Sequence, residues 1–321
     1  MKLLKLVPDN TNVDFMGIRN IALILSVLVT IAALVLVGMR GLNLGVDFVG
    51  GQMVRTTFAQ PVDVEQLRGR IGSLGLGEAS IQEFGGPTSF QIRLPKPEGG
   101  EASANAAASR VRQLLAQQYP GSRVDSVETV SGRVSEELGR DGLLALVLAM
   151  LGVALYIWLR FEWQFGVGAL ATLFHDVSLL LGFFALTQWQ VDLNIVAAFL
   201  AVVGYSLNDT VVIYDRIREN LRKYRKMAMV PLLNLSLNET LSRTIVTSGS
   251  ILLALGMLLL FGPDVIFGLT FAIFLGTVIG TYSSIYISAP ILVWLGVKPD
   301  SFVRAEEASA APVKRSDGAV V

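Results

Sequence analysis

Long apolar stretches recur along most of the chain, and their lengths predict membrane-spanning helices. The first predicted span, residues 18–40, has almost no polar residue between Ile21 and Val37. Because about 20 apolar residues suffice to cross a bilayer, it is long enough for one crossing. After a polar stretch of about 100 residues, five further spans are predicted within residues 141–297, with Pro290 as a candidate break in the last: 143–159, 165–187, 193–214, 245–261 and 266–295.

Residues 41–140 have the composition of a soluble domain. Alternating apolar positions predict strands, and an apolar stripe on one face predicts the first helix. The expected elements follow the order β-α-β-β-α-β, at 52–58, 62–74, 79–84, 89–94, 103–118 and 124–134, and residues 96–107 are expected to form a loop or flexible insert. This order is typical of a split βαβ, ferredoxin-like sheet with two helices. The predicted fold is therefore a polytopic α-helical membrane protein with six transmembrane helices and one external α+β domain.

Composition supports this class and excludes several others. Apolar residues make up 52% of the chain and charged residues 16%, with a mean hydropathy of +0.57, which excludes an ordinary soluble globule and disorder. A net charge of zero gives no support for nucleic acid as a partner. The chain has no cysteine, one histidine and no phosphate-binding P-loop pattern. We therefore predict no metal, no cofactor and no enzymatic activity.

Basic residues are concentrated in one connection between spans, and their position indicates which side of the membrane it lies on. The connection 215–243 is rich in Arg and Lys, and the positive-inside rule places such a connection in the cytoplasm. Counting spans in both directions then places residues 1–17 and 298–321 in the cytoplasm and residues 41–140 on the outer face. We interpret 215–243 as a basic cytoplasmic loop and 298–321 as a disordered tail.

The candidate site is the segment GYSLNDTVVIYDRIRE, residues 204–219, at the end of an apolar run. A charged side chain in the bilayer costs about 2.5–3.5 kcal/mol on insertion scales, so such a residue usually faces a protein interior or a water path. Five neighbouring polar residues here point to function: Tyr205, Ser206, Asn208, Asp209 and Thr210. The alternative is that Asp209 lies at the membrane edge and only anchors the helix end.

A basic residue is expected at a depth in the membrane similar to that of Asp209. Arg243 begins the segment that leads into the fifth span, with Thr247 on the following turn. An Asp209–Arg243 pair would hold the carboxylate ionised, and moving the cation away would favour uptake of a proton, which is the minimum for a proton relay. The alternative is that Arg243 is a flanking residue that reaches the lipid phosphates.

Two further ionisable residues lie midway along the third predicted span. His175 and Asp176 are adjacent, and adjacent helical residues do not share a face, so we expect one to be buried and the other to point elsewhere. His175 either titrates near neutral pH or only hydrogen-bonds a neighbouring helix. We keep both, with Tyr205, as supporting candidates. Asp192 and Asn194 are expected to form a helix cap.

Four segments together resemble the SecF family, which supplies the smaller membrane subunit of the SecD–SecF accessory complex of bacterial protein export. They are GVDFVGG (45–51), HDV (175–177), GYSLNDTVVIYDRIREN (204–220) and NETLSRTIVTS (238–248). The third segment is specific, whereas HDV alone is a weak signal. Their order and the six-span layout also match, although the external domain matches poorly.

The resemblance implies a fold of the resistance-nodulation-division type, in which six spans pair with six of SecD in the bacterial inner membrane. It implies that the proton-motive force helps preproteins to leave the SecYEG channel on the outer face. By motif, Asp209 corresponds to the proton-carrying carboxylate and Arg243 to its partner, supported by Asn208 and Thr247. The implied partners are SecD, SecYEG, the emerging preprotein and the lipid bilayer.

The residues alone leave two other functions open. One is half of a proton-driven exporter of small molecules or lipids, although six spans without an internal repeat look like only part of such a machine. The other is a scaffold that binds the translocase and uses its buried charges only to align helices. Polar crowding around Asp209 disfavours the scaffold.

Overall fold

The structure of the protein is a computed structural model, which describes residues 11–77, 79–84, 86–95, 100–263 and 266–297. Its elements are, in chain order, α1 (Arg19–Arg40), α2 (Val46–Val49), β1 (Gly51–Thr57), α3 (Val64–Gly72), β2 (Ser80–Glu83), β3 (Ser89–Leu94), α4 (Gly100–Gln118), β4 (Arg123–Val130), α5 (Gly132–Arg160), α6 (Trp163–Thr187), α7 (Leu193–Lys223), α8 (Met229–Phe261), α9 (Phe267–Ser283) and α10 (Ala289–Trp294). A 3-10 turn, Met16–Ile18, precedes α1. In the described part of the chain, six helical segments are long and apolar enough to cross a membrane, which confirms the predicted number.

Two of these helices extend far beyond the predicted spans. Residues 215–243, expected to form a loop, are helical except for the turn at 224–228, because α7 continues to Lys223 and α8 begins at Met229. The extension is helical because its apolar residues lie on one face and form a core, with Ile217, Leu221, Leu232 and Leu233 all fully buried. The charged residues therefore cover a helical hairpin, and the prediction of a loop was wrong.

The sixth span is one nearly continuous helical segment. Between α9 and α10 lies a π-helical turn, Ser284–Ser288, and Pro290 follows within the first turn of α10. A proline ring clashes with the carbonyl four residues earlier in an α-helix. Here that carbonyl belongs to Tyr286, inside the wider π turn, which relieves the clash. Pro290 therefore does not end the span.

The α+β domain, called the external domain here after its predicted position, has the predicted order of elements. Its four strands form an antiparallel sheet in the order β2-β3-β1-β4, so that β3 lies between β1 and β2. Helices α3 and α4 cover one face, where Val54, Ile92, Leu67 and Val111 form the core. Residues 100–107, expected to form a loop, belong to α4, and 96–99 lie outside the described residues. The last strand ends at Val130, because Ser131 caps α5 by accepting a hydrogen bond from Val134 N.

Helices α6, α7 and α9 form the centre of the membrane bundle, and α1, α5 and α8 lie outside it with largely exposed apolar faces. Small residues allow α7 and α9 to approach closely. A Cβ atom at Gly276 would overlap the side chain of Val202, and one at Gly280 would lie 3.1 Å from the Cβ of Ser206. This contact places the polar segment of α7 directly against α9.

Two glycines connect the external domain to the membrane bundle. Gly50 and Gly51 have φ angles of 72° and 118°, which other residues rarely adopt, and β1 begins at Gly51. A Cβ atom on Gly50 would also lie 3.3 Å from the Cα of Gly132, at the start of α5. The chain therefore turns at Gly50 and Gly51, directly after the short helix α2.

The same segment holds the outer end of α7. Asp47 Oδ2 accepts a hydrogen bond of 2.9 Å from Leu193 N, and Gly45 N donates to Val191 O at 2.7 Å. From the sheet, Arg55 Nη2 lies 3.6 Å from Asp192 Oδ2. Asp192 caps α7 by accepting from Ile195 N at 3.0 Å, as the sequence predicted. The external domain is thus attached directly to the first turn of α7.

We expect Arg55→Met to destabilise this junction in a pH-dependent way. Burial raises the pKa of Asp192, opposed by the Ile195 amide and the Arg55 guanidinium and reinforced by Asp47. Without Arg55, an ionised Asp192 lacks its cation, so we expect a loss of about 1–3 kcal/mol in the free energy of unfolding at pH 8. The folded state of this variant then binds a proton at Asp192 more readily than the unfolded state. The free energy of unfolding therefore falls as pH rises through the raised pKa of Asp192. The deficit should shrink between pH 8 and 5 in thermal unfolding of the detergent-solubilised protein.

A second substitution distinguishes charge from packing at this junction. Asp192→Asn keeps a capping side chain but removes the charge, so it should restore most of the stability lost in Arg55→Met. A deficit that is independent of pH and is not relieved by Asp192→Asn would contradict this account. In that case Arg55 would act mainly by packing on Phe84, whose ring centre lies 5.9 Å from its guanidinium carbon.

Candidate functional site

Asp209 lies on the side of α7 that faces the bundle and is 9% exposed. Its Oδ2 accepts a hydrogen bond of 3.2 Å from the Ser248 hydroxyl of α8. Within the described residues, this is the only hydrogen bond that its carboxylate makes. The prediction that Asp209 faces a protein interior is confirmed, and the carboxylate has few partners there.

Ser248 belongs to a short series of hydroxyl groups. The Thr281 hydroxyl of α9 lies 2.9 Å from Ser248 Oγ and 2.8 Å from the carbonyl oxygen of Thr277. Thr281 was not predicted from the sequence. A signal for it exists in the sixth span, where Thr277, Thr281 and Ser283 are among the hydroxyl-bearing residues that interrupt the apolar run.

A small cavity brings five of the predicted residues together. It has a volume of about 20 Å3, room for about one water molecule. Asp209 lines it together with four other predicted residues, Tyr205, Ser206, Asn208 and Thr247, and with hydroxyl groups of Ser248 and Thr281. Tyr205 and Asn208 lie on the exposed side of α7, so the cavity is at the edge of the bundle, between α7, α8 and α9.

Arg243 lies on α8 but does not contact Asp209. No ion pair within 4.0 Å joins them in the described structure, although the charge of Arg243 reaches the carboxylate at longer range. The expected pair is absent because Thr244 and Ser248 occupy the inner face of α8, which leaves Arg243 exposed. Arg243 instead lines an open groove of about 550 Å3 with Arg160, Asp215 and Glu239.

His175 and Asp176 are both buried, 4% and 1% exposed, which corrects the expectation that one would point elsewhere. His175 Nδ1 lies 2.9 Å from Asp176 Oδ1, and Asp176 Oδ2 accepts from the hydroxyls of Ser206 at 2.5 Å and Ser283 at 2.9 Å. Both can be buried because α6 is packed by α1 on one side and by α7 and α9 on another. The ring of Tyr282 packs 6.3 Å from His175.

Ser206 connects the two carboxylates. Its hydroxyl donates to Asp176, and the residue also lines the cavity beside Asp209. The two acids differ in their surroundings, since Asp176 has three hydrogen-bond partners and Asp209 has one. Asp209 is therefore the acid whose protonation requires the smaller rearrangement.

Other residues of the motif segments hold the helical hairpin together. Glu239 accepts from Arg216 Nε at 2.8 Å and from Asn220 Nδ2 at 2.6 Å, which joins α7 to α8. Asn238 exchanges two hydrogen bonds with the backbone of Val13, ahead of α1. The sequence analysis assigned these residues no role, and the structure gives them a structural one.

Comparisons with known proteins identify the family. The model described as protein export membrane protein SecD/SecF, C-terminal, matches residues 110–298, and the SecD/SecF GG motif matches residues 35–62. The chain is 46% identical to protein translocase subunit SecF of Cereibacter sphaeroides, over 92% of this chain and 93% of that protein. For the SecF of Pseudomonas aeruginosa the identity is 42%, over 91% and 94%. The chain belongs to the SecF family.

Solved structures agree with this SecF membership. The crystal structure of SecDF, a translocon-associated membrane protein from Thermus thermophilus, has a TM-score of 0.83 at 32% identity and is matched over 91% of this chain. SecDF in a super-membrane-facing form has a TM-score of 0.65 at 33% identity, over 94% of this chain. This SecF-family chain spans 40% of each SecDF chain. The matched GG motif coincides with the glycine turn that joins the external domain to the bundle.

Proposed function

We propose that this chain works with SecD as a membrane subunit that uses the proton-motive force to assist late steps of Sec-dependent preprotein translocation. The observation that carries the proposal is Asp209, a buried carboxylate on a membrane-spanning helix, with one hydroxyl partner and a water-sized cavity beside it. A charge in this position is costly, so its presence favours a functional role. The SecYEG channel and the emerging preprotein are the further partners of the proposal.

Asp209 is the proposed proton-binding group. To bind a proton, a carboxylate must exchange hydrogen bonds that it accepts for at least one that it donates. Asp176 is held by hydrogen bonds with Ser206, Ser283 and His175, whereas among the described residues Asp209 has only Ser248 to accommodate. The cavity beside Asp209 provides room for a water molecule that could deliver or receive the proton.

Arg243 is the proposed regulator of the charge on Asp209. It lies on the exposed side of α8, where it lines the open groove, and its charge already reaches Asp209. A small movement of α8 or of this side chain would bring the cation closer and favour release of the proton.

Helix α7 connects the proposed proton site to the external domain. Asp192 begins the helix and Asp209 lies 17 positions further on, about 25 Å along the axis. Since Asp47 and Arg55 hold the first turn of α7, a displacement of the helix would be passed to the sheet. We place this domain on the outer face and the α7–α8 hairpin, with both termini, in the cytoplasm, because the basic residues cluster in the hairpin.

The test of this function is preprotein translocation in proteoliposomes that contain SecYEG, SecD and the full chain, with and without a proton gradient. The gradient should stimulate export by the wild-type chain. Asp209→Asn should remove that stimulation. If the gradient has no effect on the wild-type complex, the scaffold function takes its place.

Arg243→Ala should reduce the stimulation by the gradient about tenfold while leaving assembly with SecD intact. A nearby positive charge favours the ionised form of Asp209 by an amount on the order of 1 kcal/mol or more. Without this cation, Asp209 therefore stays protonated for a larger part of each round of proton binding and release. The measurement is the ratio of export rates with and without the gradient. Arg225→Ala, an exposed arginine in the turn between α7 and α8, is the matched control. Equal ratios in both variants would contradict a role for Arg243.

A further inference from the structure

Three hydrogen-bonding distances run in series from Asp209 into the bundle. Asp209 Oδ2 lies 3.2 Å from Ser248 Oγ, Ser248 Oγ lies 2.9 Å from Thr281 Oγ1, and Thr281 Oγ1 lies 2.8 Å from the carbonyl oxygen of Thr277. The series crosses from α7 to α8 to α9. It begins at a group that can change its protonation and ends at a carbonyl, which can only accept.

We propose that Ser248 and Thr281 are positioning residues that keep Asp209 hydrogen-bonded in both of its protonation states. The proposal rests on the proposed function, in which Asp209 binds and releases a proton. Each hydroxyl has one hydrogen to donate and can also accept, so the direction of the whole series can reverse by rotation of two hydroxyl groups. No covalent bond other than the O–H bond at Asp209 forms or breaks.

With Asp209 ionised, the series runs toward the carboxylate. Ser248 donates to Asp209 Oδ2, and Thr281 donates to Ser248 Oγ. The carboxylate, which can only accept, receives a charge-assisted hydrogen bond, stronger than one between neutral groups. Donation by Thr281 polarises the Ser248 hydroxyl and strengthens the bond further.

With Asp209 protonated, the series runs the other way. The acid donates to Ser248 Oγ, Ser248 donates to Thr281 Oγ1, and Thr281 turns its hydrogen to the carbonyl of Thr277. That carbonyl is available at 2.8 Å because a carbonyl oxygen has two lone pairs and its helical N–H partner occupies one. Every donor of the series therefore keeps an acceptor, and an unpaired buried donor would cost about 1–3 kcal/mol.

The other hydroxyls of the cavity do not have this arrangement. Thr247 donates to carbonyls of its own helix, those of Arg243 at 2.9 Å and Thr244 at 3.1 Å. The Thr277 hydroxyl donates to Ile273 O at 2.8 Å. Thr281 differs because its hydroxyl is within reach of both a side chain of another helix and a carbonyl of its own.

Few ionisable groups other than Asp209 bear on the site. Tyr205 shares its helix and lines the cavity, and Arg243 acts from α8. His175 and Asp176 of α6 reach the cavity only through Ser206, while α9 contributes hydroxyl groups. A change at Thr281 therefore leaves every one of these charges in place.

The test is the proton affinity of Asp209 in the full chain reconstituted with SecD. Infrared difference spectroscopy records the protonated carboxyl band, assigned as the part that Asp209→Asn removes, as a function of pH. Thr281→Val should lower the proton affinity about tenfold, because the protonated state then leaves the Ser248 hydrogen without its acceptor. Thr281→Ser should restore it. Thr270→Val, the same change at a buried position of α9 outside the cavity, is the matched control.

A second variant should change the proton affinity of Asp209 in the opposite direction. Ser248→Ala removes the only donor to the ionised carboxylate, so the proton affinity of Asp209 should rise. A Thr281→Val shift no larger than that of Thr270→Val, or shifts of the same sign in Thr281→Val and Ser248→Ala, would overturn the proposal. If the wild-type complex shows no carboxyl band that depends on Asp209, the proposed function is overturned instead.

Discussion

Asp209→Asn is expected to abolish the stimulation of export by a proton gradient and to leave assembly with SecD unchanged. Asparagine has the same shape as aspartate but binds no proton in the physiological range, so the coupled step is lost. Its side-chain oxygen still accepts from Ser248, as Asp209 Oδ2 does at 3.2 Å, so the packing of α7 against α8 is kept. Export with the gradient should fall to the level measured without it.

Asp215→Asn is the matched control for this experiment. Asp215 lies on the same helix as Asp209, but its side chain is 65% exposed and is 3.7 Å from Arg160 at the surface. Because exposed ion pairs contribute about 0–1 kcal/mol, neither stability nor gradient dependence should change. If Asp209→Asn responds to the gradient as the wild type does, the acid is structural and the scaffold function becomes the better proposal.

Asp176→Ala is expected to lower the free energy of unfolding by about 3 kcal/mol, the second large effect. Asp176 is 1% exposed and accepts hydrogen bonds from three side chains on three helices, so its removal leaves buried donors without an acceptor. Ser283 can compensate, because its hydroxyl also reaches the Gly280 carbonyl at 3.1 Å. His175 and Ser206 account for most of the expected loss. Thermal unfolding in detergent measures it.

Two comparisons sharpen this second test. Asp176→Asn keeps an acceptor in place and should destabilise the protein less than Asp176→Ala. Asp141→Ala, at an exposed acid on α5, should change stability by less than about 0.5 kcal/mol. If Asp176→Ala were fully stable but lost its gradient response, Asp176 would be a proton site and not a structural link between α6, α7 and α9.

Local patterns in the sequence determined the larger organisation. The length of each apolar run decides whether it can span a bilayer, and alternation of apolar residues identifies strands, so six spans and the β-α-β-β-α-β order were predictable. The same reasoning selected Asp209, because a carboxylate inside an apolar run is visible without any knowledge of its neighbours. The prediction of a loop at 215–243 was wrong, because a fall in hydropathy marks the point where the chain leaves the membrane and not the end of a helix.

Only the tertiary structure decided which side chains meet. Helical periodicity assigns a residue to a face but does not say which helix covers that face, so the sequence could not show that Ser248 and Thr281 adjoin Asp209. It also could not show that Arg243 lies outside contact with Asp209, or that α6 is central enough to bury both His175 and Asp176. These contacts depend on the packing of helices far apart in the chain, where small residues such as Gly276 and Gly280 set the separation of α7 and α9.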